Sequence, residues 1–240
     1  MKMLHKMIGG LFSTAAVLAS AGLTAQAQGN LLVDPNFSTQ ITITQPIEPA
    51  TVGDGWASIN GTGPGTSQGI SSYSGSPAYL VTMGAGDAWD FTGPYQAVGA
   101  GVNGVTITPG QTYMVTVSFL TTTGFGAGEP NWSGNIAVGA YLQLEFNSDT
   151  TGLPEVGSTA SINNTGAGLL LGNWYYESVT AVAPAGASVA EVYLAFMEDG
   201  NQTAPEDVYF DNASLTAVPE PASLALLALG LPLFFIRRWK

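Results

Sequence analysis

The chain has 240 residues, no cysteine, and 17 acidic against 5 basic residues, for a formal net charge of −12. All five cations (Lys2, Lys6, Arg237, Arg238 and Lys240) stand at the two ends, so the stretch from Gln28 to Pro219 holds 16 acidic residues and no basic one, a formal charge of −16. That stretch does not suit nucleic acid, whose affinity for proteins comes largely from Lys and Arg, and without Cys, His, Lys or Arg it excludes thiol and imidazole nucleophiles, Schiff bases and His or Cys metal sites.

At the N-terminus, Lys2 and Lys6 precede an apolar run from Ile8 to Leu23, followed by Ala25-Gln26-Ala27. A basic start, an apolar segment and small residues at the −3 and −1 positions are the pattern of a secretory signal peptide, recognised by signal peptidase at Ala25 and Ala27. Residues 1–27 are therefore expected to direct export, with Gln28 the first mature residue. An uncleaved membrane anchor is the alternative.

From Gln28 to Ala217 the chain reads as a single domain of strands and turns. Apolar runs rich in β-branched and aromatic residues are separated by clusters of Gly, Pro, Asn and Ser, and helical periodicity is nearly absent. The predicted strands, in order, are Ile41–Thr44, Ala78–Met83, Tyr95–Val98, Thr112–Leu120, Ala137–Phe146, Tyr175–Val182, Ser188–Met197 and Val208–Leu215. The alternation is clearest where Tyr113, Val115, Val117 and Phe119 interleave with Met114, Thr116 and Ser118, and again from Val138 to Phe146; each such strand offers one face to a core. Asn60 to Pro77, rich in Gly, Ser and Thr, reads as a long loop. Eight strands without helices predict an all-β fold, an antiparallel β-sandwich of jelly-roll type. An N-terminal signal helix and a short C-terminal hydrophobic helix would flank it.

Several constellations within this domain bear on chemistry. The acidic residues Glu198, Asp199, Glu206, Asp207 and Asp211 lack a neutralising cation, so either a divalent ion or a solvated acidic loop accounts for them. Asp87 and Asp90 flank Trp89, but residues three apart on a strand point to opposite faces and do not form a glycosidase pair. No catalytic residues are assigned. Trp56, Trp89, Trp132 and Trp174, with Tyr95, Tyr175 and Tyr176, could stack on sugar rings or pack a core. Trp132, in the Gly-rich segment Gly124 to Gly134, is the expected exposed ring and glycan contact, whereas Trp56 and Trp174 are expected in the core or at a sheet edge. Six Asn-x-Ser/Thr sequons are explained by composition.

The C-terminus reads Val218-Pro219-Glu220-Pro221, an apolar segment from Ala222 to Ile236, and Arg237-Arg238-Trp239-Lys240. These residues resemble the PEP-CTERM sorting signal, and residues 218–240 are assigned to it. The resemblance implies recognition by an exosortase, removal of the tail, and a Gram-negative-type bacterium that makes exopolysaccharide. Charge agrees, since a basic end beyond an apolar segment stays cytoplasmic while the domain is exported. Fifteen helical residues span roughly 22 Å against a hydrocarbon core of about 30 Å, and Pro232 weakens such a helix. A transient inner-membrane stop is therefore expected, a stable short anchor being the alternative. The destination is the cell surface, the outer membrane or the extracellular matrix.

A second resemblance lies within the domain. Asn30-Leu-Leu-Val-Asp-Pro-Asn-Phe37, Pro109-Gly-Gln-Thr-Tyr-Met-Val-Thr-Val-Ser-Phe119 and Val208-Tyr-Phe-Asp-Asn-Ala-Ser-Leu215 are similar, in order and spacing, to the carbohydrate-binding-module jelly rolls of the galactose-binding-like superfamily. The likeness implies a non-catalytic module that takes a neutral polysaccharide. It also implies a structural calcium ion where the first and last strands meet, with Asp211 as one ligand. Ser38 stands where the family has its second acid, and Asp34 is the nearby substitute. Three functions remain open on the sequence: a carbohydrate-binding or matrix module, a structural or adhesive surface protein, and a polysaccharide hydrolase or lyase working through carboxylates.

Overall fold

The computed structural model describes residues 29–38, 55–59, 66–84, 91–100, 102–123, 139–148, 160–164, 169–197 and 205–219. The expected signal and tail helices and the predicted strand Ile41–Thr44 lie outside the described residues. Among the described residues there is no helix. The described residues form ten strands: β1 (Ala57–Ile59), β2 (Ser67–Tyr73), β3 (Ser76–Met83), β4 (Phe91–Gly99), β5 (Thr112–Leu120), β6 (Gly139–Asn147), β7 (Ala160–Asn164), β8 (Tyr175–Val182), β9 (Val189–Met197) and β10 (Glu206–Ala217).

They form two five-stranded sheets, a first of order β1-β4-β9-β6-β7 and a second of order β2-β3-β10-β5-β8, and every adjacent pair is antiparallel. The chain switches sheets between β1 and β2, β3 and β4, β4 and β5, β5 and β6, and at each step from β7 to β10. The fold is thus an all-β antiparallel sandwich of jelly-roll type. Alternation places the core between the sheets. Tyr79, Val81, Tyr113, Val115, Val117, Phe119, Val208 and Phe210 of the second sheet face Leu142, Leu144, Phe146, Val192, Leu194 and Phe196 of the first, all buried. The rings of Tyr113 and Phe146 meet across the layers at 5.9 Å.

β5 and β8 have the predicted bounds, and β3, β4, β6, β9 and β10 overlap their predicted runs. The expectation of one long loop from Asn60 to Pro77 is corrected: it contains β2 and the start of β3. These two form a hairpin, with Tyr73 paired to Ser76 and positive φ at both Ser74 and Gly75, the two-residue turn that matches strand twist. β2 and β7 are edge strands, and β2 is largely half-buried or exposed, so neither carries the apolar alternation that marks the inner strands.

Two irregularities shape the domain. In β10 the register shifts between Asp211 and Ser214, with Asn212 at φ 52°. This bulge reverses the strand's alternation, so Val208 and Phe210 before it and Ala213 and Leu215 after it all point inward. Alongside lies the N-terminal segment. Leu31 N–H donates to Leu215 O (2.9 Å) and Ala213 N–H to Pro35 O (2.9 Å). Asn30 Oδ1 accepts from Leu32 and Leu215 N–H, while its Nδ2 donates to Ala213 O. The first and last motifs of the carbohydrate-module resemblance therefore meet in space. Phe37, at φ 50°, inserts between Trp56 and Tyr79 at ring distances of 4.9 and 5.6 Å.

Candidate functional site

The outward face of the first sheet carries an unusual strip. Outward positions on a sandwich ordinarily hold scattered polar side chains, yet here β4, β9 and β6 contribute Tyr95, Glu191, Tyr193, Tyr141, Gln143, Glu145 and Asn147 in adjoining rows. Register brings them together. Tyr95 pairs with Tyr193, Tyr193 with Gln143, Glu191 with Glu145, and Tyr141 with Ala195. Cross-strand partners on one face stand about 5 Å apart at Cβ, close enough to couple.

Hydrogen bonds run through the strip. Tyr141 Oη donates to Gln143 Oε1 (2.9 Å) and Gln143 Nε2 to Glu145 Oε2 (3.1 Å). Tyr193 Oη and Asn147 Nδ2 both donate to Glu191 Oε2, at 2.5 and 3.2 Å. The rings of Tyr95 and Tyr193 stack, 5.6 Å apart and 15° from parallel. Glu191, Asn147 and Tyr95 are buried, whereas Tyr141, Gln143, Glu145 and Tyr193 are half-buried. Burial above all, then the charge of Glu191 and the hydrogen bond to it, pushes the Tyr193 phenol well above its ordinary value. Tyr193 therefore remains a hydrogen-bond donor at physiological pH.

Such a strip presents fixed hydroxyl, amide and carboxylate groups beside aromatic rings, the combination that holds polyhydroxylated ligands. Glu145 and Glu191 are opposed on neighbouring strands, as a hydrolytic pair would be. Glu191, however, is wholly buried with Tyr193 and Asn147 on one of its oxygens. It serves to position Tyr193 rather than to meet a substrate.

The predicted site residues are distributed differently. Trp132, Ala25, Ala27, Glu220, Pro221, Arg237 and Arg238 lie outside the described residues, as do Asp87, Trp89 and Asp90; Pro219 is exposed beyond the end of β10. Trp56 is in the core, its Nε1 donating to Asp34 O (3.0 Å). Trp174 is exposed at the start of the edge strand β8. Asp34 Oδ1 accepts from Ser38 N–H and Oγ–H at 2.8 and 2.6 Å. Asp211 accepts from Asn212 through both oxygens, Oδ1 from the backbone N–H and Oδ2 from the side-chain amide. Partial burial raises its carboxyl above the ordinary value, opposed by the Asn212 N–H.

The Asp34 turn does lie alongside the bulge that carries Asp211, through Pro35 and Ala213. Calcium needs six to eight oxygens, and among the described residues no group of three or more acidic side chains is gathered to supply them. As placed, each carboxylate of the pair accepts hydrogen bonds from donors of its own turn.

The strip is not legible in the sequence, where β9 and β6 stand out by their inward apolar residues. The available signal was Glu191 within the otherwise apolar run Val189–Met197, in a stretch that holds no cation to pair with it.

No protein-family model matches this chain, and no curated protein matches it. Among solved structures, the chain is similar to a CBM4 structure at 15% identity and TM-score 0.47, covering 78% of this chain and 99% of that one. It is similar to the CBM22-1–GH10 modules of a Clostridium thermocellum endo-1,4-beta-D-xylanase in complex with xylohexaose, at 16% identity and TM-score 0.43, over 81% of this chain and 29% of that one. A third likeness is to the enzymatically active domain of bacteriophage CBA120 tailspike protein 4, at 12% identity and TM-score 0.43, over 68% of this chain. The match spans only 19% of the tailspike's length. At these identities and TM-scores, ligand and activity have to be argued from the residues of this chain.

Proposed function

We propose that this chain is an exported surface or exopolysaccharide-matrix protein, sorted by an exosortase through its C-terminal tail, whose β-sandwich binds a neutral polysaccharide without cleaving it. The observation that carries the binding reading is the hydrogen-bonded strip from Tyr141 through Gln143 and Glu145, beside Tyr193 and its stacked partner Tyr95. Its donors and acceptors are fixed before a ligand arrives, which lowers the entropic cost of binding. Charge selects the ligand. A domain with a formal charge of −16 and no cation repels anionic glycans, so neutral ones are the direct partners.

The sorting reading rests on the order Pro219-Glu220-Pro221, apolar segment, Arg237-Arg238, together with the N-terminal export pattern. Signal peptidase and an exosortase are then the processing partners, and the apolar segment is held only briefly in the inner membrane.

The binding test is affinity electrophoresis of the exported protein through gels containing xylan, hydroxyethyl cellulose, galactomannan or, as the acidic control, alginate with chelator. Retardation by at least one neutral polymer is expected, weakened in both Tyr141→Ala and Gln143→Ala with melting temperature retained. No retardation by any neutral polymer leaves the structural or adhesive role. Release of reducing sugar, abolished by Glu145→Gln, would instead establish a hydrolase. Mass spectrometry of the natural product tests sorting: a mature protein that still contains Phe234 and Arg237 refutes tail removal.

A further inference from the structure

The opposite side of the sandwich carries a second array of rings that the strip does not use. On the second sheet, Tyr209 and Leu80 are cross-strand partners, as are Tyr209 and Leu120, and Tyr209 points outward, away from the inward-facing Val208 and Phe210. The Tyr73 ring lies 5.3 Å from Tyr209 and meets Trp174 edge-on, at 6.1 Å and 88°. Tyr73, at the β2–β3 hairpin, thus stands between Tyr209 of β10 and Trp174 in the segment that leads into β8. Tyr176, two residues on, projects from the same face of the edge strand.

Tyr73 and Tyr209 are half-buried, and the other two rings are exposed. Trp174 is 39% and Tyr176 64% exposed, and together with Leu170 and Leu171 they make four of the six large hydrophobic side chains exposed among the described residues. The segment that presents them is pinned. Gly172 N–H donates to Thr121 O (2.8 Å), Leu170 N–H to Tyr175 Oη (2.6 Å), and Asn173 Nδ2 to the carbonyls of Leu170 and Leu171 (both 3.3 Å). Tyr73 Oη donates to Gly172 O (3.3 Å), and any Cβ at Gly172 would stand 2.8 Å from that hydroxyl. An apolar patch held this firmly marks an interaction site.

Its chemistry identifies the occupant. Asp207 and Asp211 lie outward on β10 beside the rings, and the domain offers no countercharge, so a second copy of this chain or an anionic polymer meets like charge here. The exposed patch of a few side chains is also small beside the roughly 800 Å² per partner of a stable protein interface. A neutral sugar ring, apolar on its C–H face and needing no charge partner, fits an exposed array of Trp and Tyr.

We infer that the outward face of the second sheet, built from Tyr73, Tyr209, Trp174 and Tyr176, is a second, stacking site for neutral glycan, so that one domain holds two polysaccharide strands on opposite faces and cross-links them. This rests on the polysaccharide-binding reading and adds bivalence to it. Rings dominate the second site where hydrogen-bonding groups dominate the first, so its affinity should be nearly independent of monovalent salt.

The test uses the exported protein and the same neutral polymers, with variants on each face. Trp174→Ala and Tyr176→Ala should each lower affinity by about threefold or more, as should Tyr141→Ala, and a variant altered on both faces should not bind. Wild type should thicken or precipitate the polymer solution, while single-face variants bind without doing so. Tyr176 has an exposed side chain, so its variant reports on the site even if Trp174→Ala melts early. Unchanged affinity in both second-face variants, with no thickening by wild type, overturns the second site and leaves the first standing. Complete loss in those variants with none in Tyr141→Ala overturns the first site and leaves this one. Failure of wild type to bind any neutral polymer overturns both, and a dimer by light scattering that Trp174→Ala dissociates makes the occupant a second copy.

Discussion

Gln96 holds Val33 as a neighbouring strand would: its Oε1 accepts from Val33 N–H at 2.7 Å and its Nε2 donates to Val33 O at 3.0 Å. One buried side chain thereby satisfies both backbone groups of a segment that belongs to neither sheet. Gln96→Leu keeps the volume and leaves both groups unpaired, which should destabilise the domain by about 1–3 kcal/mol. Urea unfolding should show a lower midpoint with an unchanged slope.

Gly93 of β4 lies against the backbone of β9. A Cβ there would stand 2.0 Å from Leu194 O and 2.8 Å from Ala195 Cα, both backbone atoms that cannot turn aside. Gly93→Ala should cost about 3 kcal/mol or more by forcing the strands apart. Gly69→Ala, in β2 with no atom within 4 Å of the added carbon, should stay within about 0.5 kcal/mol of wild type. Comparable midpoints for the two variants would contradict the close approach.

How far the sequence reveals this molecule depends on whether a strand sets an alternating apolar face against the core. β5 and β8 are legible to the residue because one of their faces alternates into the core, as Tyr113, Val115, Val117 and Phe119 do. β2 (SQGISSY) and β7 (ASINN) are edge strands, built of Ser, Gly and Asn, that read as loop. The sites were less legible. Gln143 becomes a neighbour of Tyr193, and Asn147 of Glu191, through pairing of β6 with β9, segments far apart in sequence, and Trp174 is exposed because it precedes an edge strand. Local composition, which pointed to Trp132, encodes neither relationship.

Alkaline stability should report on two phenols. Burial, above all, raises Tyr193 and Tyr79 above their ordinary 10.0 in the folded chain; for Tyr193 the Glu191 carboxylate adds to the shift. Below pH 10 both are protonated in either state and their contribution is fully present. Above it the unfolded chain ionises and the folded chain does not, so stability falls by about 1.4 kcal/mol per pH unit for each phenol. Tyr193→Phe should lose about half of this combined slope between pH 10 and 11, measured by denaturant unfolding. An unaltered slope would place the Tyr193 hydroxyl in water.

Millimolar calcium added after chelator treatment should leave the melting temperature unchanged, because Asp34 and Asp211 are each engaged by donors of their own turns. Binding to the folded state stabilises it by RT ln(1 + [L]/Kd) and so raises the melting temperature. A rise with calcium, absent with magnesium and abolished by Asp211→Ala, would establish an ion at the seam between the N-terminal segment and β10.

The central place of β10 in its sheet has a mechanical consequence. Tension applied beyond Ala217 enters a strand bonded on one side to β3 and on the other to β5. Ladder bonds lie perpendicular to the strands, so a pull along β10 loads both ladders in shear and spreads the force over many bonds at once. The N-terminal segment, held to β10 by a short antiparallel run between Leu31 and Pro35, would peel away one bond at a time when pulled. Were the domain held at its C-terminal end and loaded through its sheets, the force would enter at this doubly bonded strand, and its rupture force should exceed that of the same domain pulled by both ends.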